Sequence, residues 1–131
     1  MDNNLIPAII ACKYNGKTYN IGNYTEVFMY VKDYCPHSRA AAKTAYGICD
    51  TYCFEVQHDK FLDPATFEVM DVKNPVTPHI IQAYKCSGLN TDTVPQIFIK
   101  VQGGWHWVGG NDDFKAYNTG HMTISLQSLK M

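Results

Sequence analysis

Glu26–Val31 reads EVFMYV, a nearly continuous apolar run. A strand with one wet face would alternate apolar and polar residues, so this run suits a strand buried on both faces. Asp33-Tyr34-Cys35-Pro36 then closes the strand. Pro36 suits the first turn of a helix, where its missing N–H would be orphaned anyway. The Ala-rich segment Ser38–Tyr46 reads as that helix, weakening near Gly47. A doubly buried strand running straight into a helix places the chain in the α/β class.

The remaining segments are read against that unit. Ala8–Tyr14, the Asn15-Gly16 turn and Lys17–Gly22 form a hairpin signal, which predicts an N-terminal β extension over residues 1–24. Thr66–Val72 (TFEVMDV) is expected to be the second strand of the sheet. Pro78 can open a helix through His79–Cys86, stopped by Ser87-Gly88. Thr93–Val101 and Trp105–Val108 are expected as a hairpin about Gly103-Gly104, with a final helix after Gly109-Gly110 that frays near Gly120, and Ser125–Met131 can add a last turn. Gly47–Ala65 is left as an insertion about ten residues longer than an ordinary connection. The order βα, βα, ββα predicts a mixed sheet of about four strands with helices on both faces.

With 131 residues the simplest reading is one domain, 1–131. The formal net charge is −1 and the basic residues are scattered, which argues against nucleic acid as a partner. No apolar run is long enough to span a bilayer, so no membrane partner is expected. The N-terminus lacks a charged region followed by an apolar core. The five cysteines, Cys12, Cys35, Cys49, Cys53 and Cys86, are an odd count without that signal. They read as free thiols in a reducing, cytoplasmic compartment rather than a secreted disulfide framework.

Cys35 sits where thiol chemistry is favoured. Orphan N–H groups and the helix dipole at a helix start favour negative charge, and the thiolate is the reactive form. Lys32 adds positive charge three residues earlier. From these residues alone, a reactive thiol and a buried structural one both stay open. Thr93-Val94-Pro95 places a proline at the head of a core strand, which fits either an edge position or a cis bond. A cis bond would turn the Val94 backbone outward toward a peptide-like ligand. Gly109-Gly110-Asn111-Asp112-Asp113 offers close backbone approach and a helix start for a carboxylate, or else a plain capped loop.

Lys32-Asp33-Tyr34-Cys35-Pro36-His37-Ser38, Thr93-Val94-Pro95-Gln96-Ile97-Phe98-Ile99 and Gly109-Gly110-Asn111-Asp112-Asp113 occur in this order in one chain. Together they resemble the glutaredoxins, the glutathione-dependent branch of the thioredoxin-like superfamily, from Glu26 to Gly120. The resemblance implies a thioredoxin-like fold. It also implies a glutathione-dependent thiol–disulfide oxidoreductase that reduces protein–glutathione mixed disulfides, with Cys35 as nucleophile and glutathione as co-substrate. The implied partners are glutathione and glutathionylated or disulfide-bearing proteins, and the implied state is a monomer. Lys32 would meet the glycine carboxylate of glutathione, and Val94 before Pro95 would pair with its cysteinyl backbone. Gly110, Asn111 and Asp112 would hold the γ-glutamyl end. Thr93, Tyr34 and His37 would line the groove.

The chain departs from the family pattern at four places. Ser38 stands where dithiol members carry a second cysteine, so a monothiol route is implied. His37 replaces the usual aromatic residue and could titrate near neutral pH. The loop Leu89-Asn90-Thr91-Asp92 is longer than usual and carries no basic group for the glycine end of glutathione, which Asp92 would oppose. Gly47–Ala65 is the fourth departure. Two other functions remain compatible with the resemblance. Some single-cysteine relatives hold a [2Fe–2S] cluster between two subunits with two glutathiones, which Ser38 permits and Pro36 disfavours. An interaction module that kept the fold and lost turnover would account for His37 and the longer loop.

Cys49 and Cys53, four apart, would share a face if helical, and His58 follows. They lack a fourth zinc ligand, so no metal site is expected. Cys86, at a helix end before Thr93, is the candidate resolving thiol. Cys12 reads as structural. Trp105 and Trp107 alternate with His106 on a strand and should face the same way.

Overall fold

The computed structural model describes residues 9–11, 13–14, 17–18, 22–70, 93–101 and 104–119. The strands are β1 (Ile9–Ala11), β2 (Lys13–Tyr14), β3 (Lys17–Thr18), β4 (Glu26–Val31), β5 (Asp50–Glu55), β6 (Lys60–Leu62), β7 (Gln96–Val101) and β8 (Gly104–Gly109). Helix α1 (Pro36–Tyr46) follows β4. A second helix, α2, covers residues 111–119.

The architecture is α/β, built on one mixed sheet in the order β1-β8-β7-β4-β5-β6. β4 is parallel to β5 and antiparallel to β7. β8 runs antiparallel to β7, and β1 joins parallel to the outer side of β8. β6 returns antiparallel on β5. β4 therefore has a full-length partner on each side, as its unbroken apolar sequence requires. Val27, Met29 and Val31 face one way, into a core with Ala41, Ala42 and Ala45 of α1 and Phe114 and Tyr117 of α2. Phe28 and Tyr30 face the other way, into an aromatic cluster with Phe54, Phe98 and Trp105. The period-two pleat sends alternate residues to opposite faces, and here both faces are dry.

The β5 side departs from the expected sheet. The strand parallel to β4 is Asp50–Glu55, not Thr66–Val72, and β6 pairs back onto it. The segment 47–65, expected as an insertion, thus supplies two strands, and the sheet is wider than the expected four strands. Of the expected strand, Val69 makes a single bridge to Leu62. Polar residues concealed β5: DTYCFE carries an acid at each end. Glu55 is nonetheless 2% exposed. Its carboxylate accepts from the N–H groups of Gln57 (3.2 Å) and His58 (2.7 Å) and lies 2.9 Å from His58 Nδ1. A buried carboxylate is tolerated when its lone pairs are filled in this way.

Of the expected N-terminal hairpin, the described residues pair Lys13 with Thr18 and Tyr14 with Lys17, while Ile9–Ala11, expected on its first strand, joins β8 of the main sheet instead. The expected helix over 79–86 and the last turn over 125–131 lie outside the described residues, as does Cys12. Two tyrosines tie α2 to the segment before β4: Tyr117 OH donates to Gly22 O at 2.8 Å, and Tyr24 OH donates to Asn118 Oδ1. No helix among the described residues is long and apolar enough to cross a membrane.

The aromatic face gives a direct test of this packing. Phe98 is fully buried, with its ring 5.8 Å from that of Tyr30. Phe98→Ala should cost about 3–5 kcal/mol in urea unfolding, whereas Val69→Ala, on a 58% exposed side chain, should change stability by less than about 0.5 kcal/mol.

Candidate functional site

β4 delivers the chain to the N-terminus of α1, and Cys35 stands at the junction as its N-cap. Cys35 has extended backbone angles, φ −88° and ψ 117°, and Pro36 follows at the first helical position. The turn before it is closed by Cys35 N donating to Lys32 O at 3.1 Å, and the helix starts with Arg39 N donating to Cys35 O at 3.1 Å. The sulfur therefore lies among the helix's orphan donors. Burial alone would push the thiol up. The N–H of Ser38, the Ser38 hydroxyl, the N–H of His37 and the Lys32 charge outweigh burial and hold the Cys35 thiol below its ordinary range.

Ser38 follows Cys35 by three residues, in the first turn of α1. It is fully buried. Its Oγ accepts from the Lys32 N–H at 3.4 Å, and the same hydroxyl is among the groups that lower the Cys35 pKa.

Across from Cys35 lies the segment that enters β7. The Val94–Pro95 peptide bond is cis, and the Val94 carbonyl accepts the Cys35 thiol at 3.7 Å. Gln96, 5% exposed, braces this segment. Its Nε2 donates to Thr93 O (3.2 Å) and Thr93 Oγ1 (3.1 Å), and its Oε1 accepts the Trp107 indole N–H at 2.8 Å. Gln96 and Trp107 received no functional role from the sequence. A glutamine at the head of an otherwise apolar strand was the available signal.

The third motif joins at Pro95. A Cβ at Gly110 would lie 3.6 Å from the Pro95 carbonyl. Gly109, just before it, has φ 122°, which glycine adopts readily. Phe114 N donates to Gly110 O at 3.0 Å, making Gly110 the N-cap of α2. The Gly110 N–H is already taken by Asp113 Oδ2 at 3.0 Å, a third-position acid reaching back to the cap. Ahead of that first helical bond, the N–H groups of Asn111 and Asp112 also stand at the head of α2. Asn111 Oδ1 is buried with no hydrogen-bond partner. Such an acceptor is costly unless something donates to it.

The structure thus brings together Cys35, Ser38, Val94, Pro95 and Gly110, with Asn111 next in the chain and Lys32 acting on the sulfur through its charge. Tyr34, His37, Thr93 and Asp112 are exposed at this end of the molecule. Cys86, the candidate resolving thiol, lies outside the described residues. Cys49 and Cys53 lie not on a helix but at the entrance to β5 and within it, and His58 is committed to Glu55. Among the described residues no group of histidine, cysteine or acidic side chains could hold a metal ion.

Compared with protein-family models, curated proteins and solved structures, the chain matches none.

The three described thiols differ sharply in environment. Burial, with Asp50 and Glu26 nearby, pushes Cys49 up to about 11; burial, with Asp63 nearby, pushes Cys53 up to about 12. Iodoacetamide should therefore modify Cys35 first, then Cys49, then Cys53, read by peptide mass spectrometry. The two raised thiols stabilise the fold fully below the ordinary thiol pKa of about 8.5. That stability is lost as pH rises toward 11 and 12, so the melting temperature should fall across this alkaline range and fall less in Cys53→Ala. Gln96→Leu removes the acceptor of the Trp107 N–H and both ties to Thr93. It should cost about 1–3 kcal/mol by urea unfolding and slow Cys35 alkylation.

Proposed function

We propose that the chain is a glutathione-dependent thiol–disulfide oxidoreductase with a thioredoxin-like fold, reducing protein–glutathione mixed disulfides by a monothiol route through Cys35. The observation that carries this reading is the Cys35 sulfur at the head of α1, depressed in pKa and facing the Val94 carbonyl beside cis-Pro95. The strand order β5-β4-β7-β8, with β4 parallel to β5 and antiparallel to β7, supports the fold assignment. α1 follows β4 and α2 follows β8, which also supports it.

The chemistry is two exchanges at sulfur. The Cys35 thiolate attacks the glutathione sulfur of the mixed disulfide. A Cys35–glutathione disulfide forms, the bond to the target breaks, and the target leaves as a thiolate that takes a proton from water. A second glutathione, as thiolate, then attacks the glutathione sulfur of the adduct. Oxidised glutathione leaves and the Cys35 thiolate returns. A low pKa serves both steps, because it supplies the attacking thiolate first and a good leaving group second. The donors from Ser38, His37 and Lys32 are in place before either step, so little reorganisation is needed.

Glutathione would lie along the line from Cys35 past Val94 to Gly110. Lys32 would attract its glycine carboxylate. The N–H groups of Asn111 and Asp112 would receive its γ-glutamyl carboxylate at the positive end of α2. Its ammonium would donate to the buried, unpartnered Asn111 Oδ1, with Asp112 completing the charge balance. Tyr34 and His37 would form the rim, and Thr93 the wall held by Gln96.

Cys35→Ser should abolish turnover of a glutathionylated peptide in a coupled assay, and Cys49→Ser should retain most of it. Undiminished turnover in Cys35→Ser would refute the assignment. Asn111→Ala should raise the KM for glutathione about tenfold while leaving the alkylation midpoint of Cys35 unchanged.

A further inference from the structure

We infer that Arg39 is a positioning residue for Cys35: its guanidinium, seated on the Phe67 ring, grips the Asp33 carbonyl and thereby fixes the turn that aims the sulfur. Arg39 Nε donates to Asp33 O at 2.8 Å, and Arg39 Cζ lies 4.8 Å from the Phe67 ring centroid. A guanidinium does both at once, because its edge donates while its flat face stacks. The Arg39 backbone is bonded to the same turn, through its N–H to Cys35 O at 3.1 Å. Arg39 thus holds the Asp33-Tyr34-Cys35 segment at both ends, by side chain at Asp33 and by main chain at Cys35.

The seat for Arg39 is itself built. Phe67 is 8% exposed and has φ 62°, a backbone region that bulky residues rarely occupy. Such a conformation persists where its surroundings over-determine it, and here they do. Phe67 N donates to Asp63 O at 2.7 Å, and Asp63 N donates to Glu68 O at 2.8 Å. Asp63 Oδ1 accepts from the N–H groups of Ala65 (2.8 Å) and Thr66 (3.1 Å). Residues 63–68 form a closed loop after β6 that presents the Phe67 ring to α1. The groups acting on the sulfur come from Ser38, His37 and Lys32. Their aim depends on the angle at which the turn enters α1, and Arg39 sets that angle.

The inference rests on Cys35 as the nucleophile, and its test uses no glutathione. The pH dependence of Cys35 alkylation by iodoacetamide is followed by peptide mass spectrometry in the full chain, with folding checked by circular dichroism. In Arg39→Met the midpoint should rise by about half to one pH unit, equivalent to about three- to tenfold less thiolate near neutral pH. Phe67→Leu, which keeps apolar bulk and removes the stacking face, should shift it in the same direction and carries the test if Arg39→Met fails to fold. Arg39→Lys keeps the charge and loses the planar fork, so it should not restore the midpoint. An unchanged midpoint in the folded variants, or full restoration by lysine, would overturn the inference. Wild-type protein that lacks glutathione turnover, with these midpoint shifts intact, would refute the proposed reaction and leave the role of Arg39 standing.

Discussion

Everything at the reactive end depends on β4 being buried on both faces. Val27, Met29 and Val31 are locked into the helical side, and Phe28 and Tyr30 into the aromatic side. A strand held in this way cannot slip by one residue without exchanging its faces, so the position where it ends is fixed. It ends at the turn before Cys35. The cost of a one-residue error in the core is therefore the guarantee of the sulfur's position at the surface.

Three braces carry that rigidity outward into segments that are not regular structure. Ser38 holds the Lys32 N–H just past the end of β4 and, with the helix N–H groups, lowers the pKa of the sulfur. Gln96 ties Thr93 to Trp107 on β8, holding the Val94 carbonyl in front of the thiol. Arg39 ties Asp33 to Phe67. Each uses a side chain with two or more polar contacts, or one polar contact and one stacked face. This is how irregular backbone is made precise: its polar groups are satisfied by partners that are themselves immobile. The buried Asn111 Oδ1 is the exception. In a site where the other acceptors are filled, an unfilled one at the head of α2 marks the place where a donor is wanted.

The sequence disclosed the elements whose residue pattern and structural role agree. EVFMYV followed by Cys35-Pro36 and an alanine-rich run leaves few alternatives to a central strand feeding a helix, and that unit is present. Asn15-Gly16 and Gly103-Gly104 marked hairpins by their turn chemistry. β5 is concealed in the sequence because DTYCFE looks like a polar connection. Its acids are tolerated through contacts that sequence cannot show, above all the Glu55 carboxylate filled by Gln57 and His58. Thr66–Val72 looks more like a strand in isolation, yet Phe67 at positive φ breaks it. In the candidate site, a cysteine at a helix start, the Val94–Pro95 pair and the glycine pair are legible as motifs. The braces are not, because Gln96, Arg39 and Phe67 acquire meaning only through partners distant in sequence or unusual in backbone.

Ser38 bears directly on what the Cys35 sulfur can do. A second cysteine three residues after Cys35 would offer the adduct an internal attacker, and the site would cycle through its own disulfide. A serine hydroxyl cannot take that path. It can donate continuously to the thiolate, and its oxygen can accept the Lys32 N–H at the same time. A serine at this position offers no internal competitor and supplies a donor instead. Under the proposed reaction, the Cys35 adduct then waits for an external thiol, and its lifetime is set by access of glutathione along Val94 and Gly110. The same residue that narrows the chemistry to one sulfur also lowers that sulfur's pKa.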